Sequence, residues 1–267
     1  MAEPGLTKRP TFRMKKWYFD CVSESGDVLI LYASELHWRG IHLHYSALLG
    51  RRGGDIETRT SMRRCVPGLG GDGRITLDAP TIGVSGVWRA ASSQLEQTLF
   101  TSEEGAVHWH CMQPKSHTTV AFGQHSIAGL GYAECLTLTI PPWRLPMRRL
   151  QWGRFLSTEE AVIWIDWTGD FSRRWVWRNG EKIEVGTVDE AEICFSAEEG
   201  LTLDQGTVLR EGRLGTTVLA AAPALRKFFP RAMSGIHERK WLSEGKYVRG
   251  TYHSAGWAIH EIVDWIV

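Results

Sequence analysis

Apolar residues recur at every second position over most of this chain, and the three-to-four spacing of amphipathic helices is scarce. In WYFDCV, Trp17, Phe19 and Cys21 fall on one side of an extended strand, and Tyr18, Asp20 and Val22 on the other. A Gly-containing turn at Glu24 to Asp27 leads into VLILYASELHW, and IHLHYSALL continues as a mostly apolar strand. RRGGD turns the chain, and the polar run from Ile56 to Val66, alternating Thr and Arg, reads as an exposed edge. RITLD is a strand, and others are expected near 82–90, 94–101, 105–111 and 117–122, separated by SS, SEEG and QPKS turns. Short strands about ten residues apart indicate a closed or nearly closed antiparallel sheet, which removes aggregation-prone edges. The one helix candidate is Pro223 to Phe229.

The run of alternation breaks once. In GLGYAECLTLTIPPWRLPMRRLQWGRF (129–155), Tyr132, Glu134, Leu136 and Leu138 share one strand face and Ala133, Cys135, Thr137 and Thr139 the other. Pro141, Pro142 and Pro146 then stop ladder pairing, because proline has no N–H to donate. A boundary here divides the chain into residues 1–140 and 141–267. The same style restarts with WGRFLS, AVIWIDWTG and WVWRNGEKIEV, whose Asn179-Gly180 is a strong hairpin signal. Strands follow near 191–195, 200–204, 207–211, 236–242, 246–252 and 257–266. In each half an aromatic hairpin opens the unit and a Gly-aromatic strand bearing a glutamate closes it, Glu134 in the first and Glu261 in the second. This is a diverged internal repeat, so the expected fold is all-β: two consecutive antiparallel barrels with very little helix.

Composition narrows the function classes. At 267 residues with 43% hydrophobic content the chain can bury two cores, and a formal charge of +1 gives no field that would attract nucleic acid. The N-terminus has no apolar signal core and no long apolar run follows, so a cytoplasmic protein with at most peripheral membrane contact is expected. Cys21, Cys65, Cys111, Cys135 and Cys194 contain no CxxC pair and read as free, mostly buried thiols. Nothing in the sequence sets an oligomeric state. Thirteen tryptophans, roughly three to four times ordinary usage, either fill barrel cores or line a cavity for a large apolar ligand.

Four acids sit within aromatic strands: Asp20, Glu134, Asp166 and Glu261. Desolvation raises a carboxyl's proton affinity and can keep it a general acid near neutral pH. The plainer role is a carboxylate bonded to backbone or to Arg144, Arg154 or Arg174. His42/His44 and His108/His110 have a zinc-compatible HxH spacing, but no fixed distance joins the pairs and no metal is expected. GLGGDG (68–73) matches a nucleotide-loop spacing without the strand-turn-helix context, and reads as a glycine hairpin. No cofactor is implied.

GYAE followed by Pro-Pro-Trp and QWGRF, together with KWYFD at Lys16 to Asp20, HWHCMQP at 108–114, IWIDW at 163–167 and GWAIHE at 256–261, resembles a family built from two lipocalin-like barrels. That family includes the carotenoid 1,2-hydratases (hydroxyneurosporene synthases), the tocopherol cyclases and AttH-like proteins. The resemblance implies acid-catalysed hydration or cyclisation at a C=C bond of an isoprenoid-like or other lipophilic substrate. Asp166 in Trp164-Ile165-Asp166 is similar to an aromatic-x-Asp of the hydratases, and Glu134 in Tyr132-Ala133-Glu134 to the Tyr-Ala-Glu of the cyclases. Where the hydratases have His and Trp, this chain has Cys135 and Thr137, a departure from carotenoid hydration itself.

Two expectations result. An enzyme would place Asp166 or Glu134, with Asp20 and Glu261 in reserve, against a ligand walled by Trp17, Trp88, Trp109, Tyr132, Trp164 and Trp175, whose rings would stabilise a carbocation. A non-catalytic carrier of a hydrophobic small molecule would need the cavity alone.

Overall fold

The computed structural model describes residues 11–204, 206–213 and 235–265. Apart from single 3-10 turns at Pro80–Ile82 and Pro142–Arg144, regular structure among these residues is strand throughout. The first ten strands are β1 (Phe12–Val22), β2 (Val28–Trp38), β3 (Ile41–Arg52), β4 (Asp55–Ser61), β5 (Gly68–Leu69), β6 (Arg74–Ala79), β7 (Val84–Ala90), β8 (Leu95–Ser102), β9 (Gly105–Phe122) and β10 (His125–Leu138). They form one antiparallel sheet in the order β4-β3-β2-β1-β10-β9-β7-β6-β5, with β8 paired to β9. The second ten are β11 (Arg149–Leu156), β12 (Ala161–Thr168), β13 (Arg173–Arg178), β14 (Glu181–Ile183), β15 (Thr187–Val188), β16 (Glu192–Ser196), β17 (Glu199–Leu203), β18 (Thr207–Arg213), β19 (Ile236–Arg249) and β20 (Tyr252–Trp265). Their sheet has the same order with each number advanced by ten, and β18 lies on β19 as β8 lies on β9. Within each sheet the end strands do not pair with each other. The barrels expected from the spacing are therefore curled half-barrels.

Local chemistry explains most of the elements. Asn179 (φ 50°) and Gly180 (φ 90°) supply the two positive φ values of a type I′ hairpin between β13 and β14. Gly70 to Gly73 is the turn between β5 and β6, and the polar strand β4 is a sheet edge. Two expected breaks are absent. The segments near 105–111 and 117–122 are one strand, β9, because Pro114 falls in a bulge between the part paired with β8 and the part paired with β7, where its missing N–H breaks no ladder bond. Likewise 236–242 and the segment from 246 to 249 are one strand, β19, which passes Gly245 opposite Gly256 of β20 without interruption. The helix candidate at 223–229 lies outside the described residues.

The central strands are buried on both faces. Trp17, Phe19, Leu31 and Trp88 fill the hollow of the first sheet, and Phe155, Trp164, Val176 and Tyr247 that of the second. The opposite rows, among them Tyr18, Ile30, Tyr132 and Leu138 from one half and Trp152, Ile163, Ile165 and Ile259 from the other, pack into a shared layer between the sheets. Register defines which residues correspond. Val22 pairs with Val28 and Leu130, and Leu156 with Ala161 and Trp257, so Tyr18 matches Trp152, Asp20 matches Arg154 and Glu134 matches Glu261. Corresponding residues meet: the rings of Tyr18 and Trp152 are 5.0 Å apart, and Arg154 donates to both carboxylate oxygens of Asp20 at 2.7 and 3.1 Å. Such self-matching contacts place these residues beside an approximate two-fold axis relating the halves.

Neither side chain of the Asp20–Arg154 pair has any exposed surface. Burial pushes the Asp20 carboxyl up and opposes the Arg154 charge, but the two parallel bonds are those of a carboxylate meeting a guanidinium, and Asp20 more than restores the arginine's charge. Removing one partner strands the other in a dry interior. Asp20→Ala should cost about 3–5 kcal/mol in urea denaturation, whereas Asp20→Leu combined with Arg154→Met should lose far less or nothing.

Candidate active site

Glu134 reaches the inter-sheet layer from β10, directly opposite Tyr18 of β1. Its Oε2 accepts from the Trp109 indole N–H at 2.5 Å, the Tyr132 hydroxyl at 2.6 Å and the Trp152 indole N–H at 3.3 Å. Indole is a donor only, so Oε2 must be an acceptor and Oε1, which takes none of these bonds, is the oxygen that can carry a proton. The side chain is half-buried among these aromatic rings. Burial raises its proton affinity; the Tyr132 and Trp109 bonds and Lys16 pull it back, Glu261 adds to the rise, and the carboxyl stays above its ordinary range.

The matching acid has the opposite fate. Glu261 sits opposite Lys240 of β19, whereas the position facing Glu134 on β9 is Cys111. Lys240, with 1% of its side chain exposed, is bonded to Glu261 and lies 3.8 Å from Glu238, which Arg210 holds at 2.5 Å. Burial opposes ionisation of Glu261, but Lys240, Lys16 and Arg210 outweigh it and bring the carboxyl down to about 2. The two acids belong to one cluster: Lys240 Nζ lies 5.3 Å over the Trp152 ring, whose N–H points to Glu134. One glutamate is thus held as a carboxylate while its counterpart binds a proton more readily than an ordinary glutamate, the kind of contrast that separates acid from base roles in a shared site.

Asp166 shares a face with Trp164, but that face is the hollow of the second sheet, corresponding by register to Ala33 of the first. There Arg174, its cross-strand neighbour, donates to it at 2.8 Å. Trp17 and Trp88 fill the first hollow, with the Trp88 N–H on the Asp20 carbonyl at 2.8 Å, and Trp164 fills the second beside His260. Trp109, Tyr132 and Trp175 face the inter-sheet layer, where Trp109 stacks on Trp177 at 4.6 Å. The structure therefore brings Asp20, Glu134, Glu261, Trp109 and Tyr132 to one layer and leaves Asp166, Trp17, Trp88 and Trp164 in the two hollows.

Trp152, Trp177, Lys240, Glu238 and Arg210 were not among the expected site residues. A signal existed for some. Glu238, Lys240 and Leu242 alternate on one strand face, and Trp152 falls at the repeat position of Tyr18. Among the described residues no group of three or more His, Cys, Asp or Glu is placed to hold a metal; His108 bonds Thr98 and His110 bonds Gln94. The five cysteines are free, and burial pushes Cys21 up to about 12, away from nucleophilic chemistry. No helix among the described residues is long and apolar enough to cross a membrane.

No family model and no curated protein matches this sequence. Solved structures do: an AttH-type protein from Nitrosomonas europaea (9% identity, 96% of this chain and 93% of that one, TM-score 0.54), kievitone hydratase from Nectria haematococca (9%, 94% and 88%, 0.53) and CghA (8%, 96% and 88%, 0.57). Their fold is shared by this chain. At such identities the likeness to the AttH-like fold extends to the two-sheet architecture and not to individual site residues.

Opposite pH signatures follow for the two glutamates. Glu134 binds a proton more readily folded than unfolded, so its contribution to stability is complete below 4.5 and disappears as pH rises through its folded value. Glu134→Gln should gain stability over the parent as pH is raised from about 5 to about 8. The contribution of Glu261 is present above 4.5 and is lost as pH falls towards about 2. Glu261→Gln, which leaves Lys240 only the more distant Glu238, should cost about 3 kcal/mol at neutral pH by denaturant titration.

Proposed function

We propose that this protein takes a lipophilic small molecule into the aromatic layer between its two sheets and protonates a C=C bond from Glu134 Oε1, after which water or a group of the ligand adds to the cation. The single observation that supports this most is the contrast between Glu134, raised and unpaired with any cation, and Glu261, ionised on Lys240 at the corresponding position. Trp109, Trp152 and Tyr132 surround the Glu134 carboxyl with their polar edges. Their N–H and O–H bonds would stabilise the carboxylate left after proton transfer. Glu261, a carboxylate of the same cluster, would order an attacking water. A hydratase among the proteins that share this fold is consistent with such chemistry.

The ligand is best identified by mass spectrometry of protein purified from its own host, followed by incubation of that compound with the protein in deuterated water. Deuterium should enter the ligand at carbon. Glu134→Gln keeps an acceptor for the three donors and should lower the rate at least about 100-fold, within the range of general acid catalysis. The rate should fall as pH rises through the Glu134 value, because the protonated acid is the reactive form. Asp166→Asn, remote from this carboxyl in the hollow of the second sheet, should change it little. Saturable binding with no deuterium incorporation by the parent would identify a carrier instead.

A further inference from the structure

On the far side of the Asp20–Arg154 pair from Glu134, at the end of the layer where the β1–β2 and β11–β12 turns meet, the two halves enclose an open groove of about 1240 Å³. Its shape depends on close backbone approaches. A Cβ at Gly129 would run into the Val22 carbonyl, and one at the corresponding Gly256 into the Leu156 carbonyl; a Cβ at Gly26 would come within 2.6 Å of the Trp257 ring. Of the apolar residues along the groove, Leu130 and Trp257 are half-buried and form an apolar strip, while Val22 and Leu156 are buried.

Charge is distributed on one side of that strip. Leu130 of β10 stands beside His117 of β9, and His117 beside Arg89 of β7, so the lining changes from apolar to basic across three adjacent strands, about 5 Å apart. Lys115 precedes His117 by two positions and shares its strand face. Arg89 and His117 are exposed, Arg89 enters no ion pair, and the Lys115 ammonium donates to the Thr158 carbonyl at 2.5 Å. The Arg154 guanidinium on the floor is committed to Asp20 and to the Trp257 carbonyl. Among the described residues lining the groove Glu24 is the one acid, and the carboxylates of Glu159 and Glu160 lie close enough to Lys115 to favour its charge. Basic side chains set directly across from one another repel unless an anion joins them.

We propose that this groove is a second ligand site, taking a molecule with an apolar chain and an anionic head, carboxylate or phosphate. The chain lies along Leu130 and Trp257, and the head meets Arg89 and Lys115. The site is separate from Glu134 and does not depend on the chemistry proposed there.

Calorimetric titration of the full chain with dodecanoate, dodecyl phosphate, dodecanol and inorganic phosphate tests it. At least one of the two anionic amphiphiles should bind at one per chain, at least tenfold more tightly than dodecanol or inorganic phosphate, with affinity falling as salt is raised. Binding of both, or of one alone, upholds the site and identifies its head group. Arg89→Gln, at an exposed side chain whose loss does not threaten folding, should erase most of the preference for the anion, and Arg89→Gln with Lys115→Gln all of it, while dodecanol affinity stays as it was. Glu134→Gln should leave all four titrations unchanged. Equal affinity for dodecanol and the anions, no binding of either anion, a preference that survives the double substitution, or sensitivity to Glu134→Gln would each overturn the proposal.

Discussion

The layer between the two sheets is apolar over most of its area, and at its centre stands one ion pair with no access to water. Asp20 and Arg154 occupy corresponding positions in the two halves, so a single acid-for-base difference between repeats makes the interface complementary. Two identical acids there would repel, and two apolar residues would pack without preference for this alignment. The pair also divides the layer, with Glu134 on one side and the basic groove on the other. Whatever lies on either side depends on this alignment of the halves.

Divergence of the repeat away from the axis has a chemical result. Glu134 and Glu261 come from matching strands and project into the same layer, but the position that faces each on the neighbouring strand differs: Cys111 faces Glu134 and Lys240 faces Glu261. An ammonium in a dry environment overrides the desolvation cost of the nearby carboxylate, whereas the Tyr132 hydroxyl and the Trp109 indole N–H do not. Symmetric architecture thereby holds two asymmetric acids within one cluster, which a single half-barrel has no way to provide.

The tryptophans divide by location into two roles. Trp17, Trp88 and Trp164 fill hollows too narrow to stay empty, to the point that a Cβ at Gly153 would overlap the Trp164 ring. Trp109, Trp152 and Trp177 lie between the sheets, where the first two also spend their N–H groups on Glu134. Filling and lining, which composition leaves as alternatives, both occur in different layers.

Strand periodicity, the proline-rich break and the repeat of aromatic hairpins determined the all-β class and the order of the strands, because alternation and turn chemistry are local properties of the chain. The pairing of faces was equally legible: Tyr18 with Asp20, Tyr132 with Glu134 and Trp164 with Asp166 do share sides. What alternation could not say is which side is inside, since both rows of β1, β10 and β12 are buried, one in a hollow and one against the other half. Read as barrel-facing, Asp166 and Glu134 look alike; in three dimensions Asp166 meets Arg174 in a hollow while Glu134 meets indoles in the layer between sheets. The pairings of Asp20 with Arg154 and of Glu261 with Lys240 likewise join residues 134 and 21 positions apart. The state of each carboxyl is decided by burial and by the nearest cation, and those are set only when the two halves close on each other.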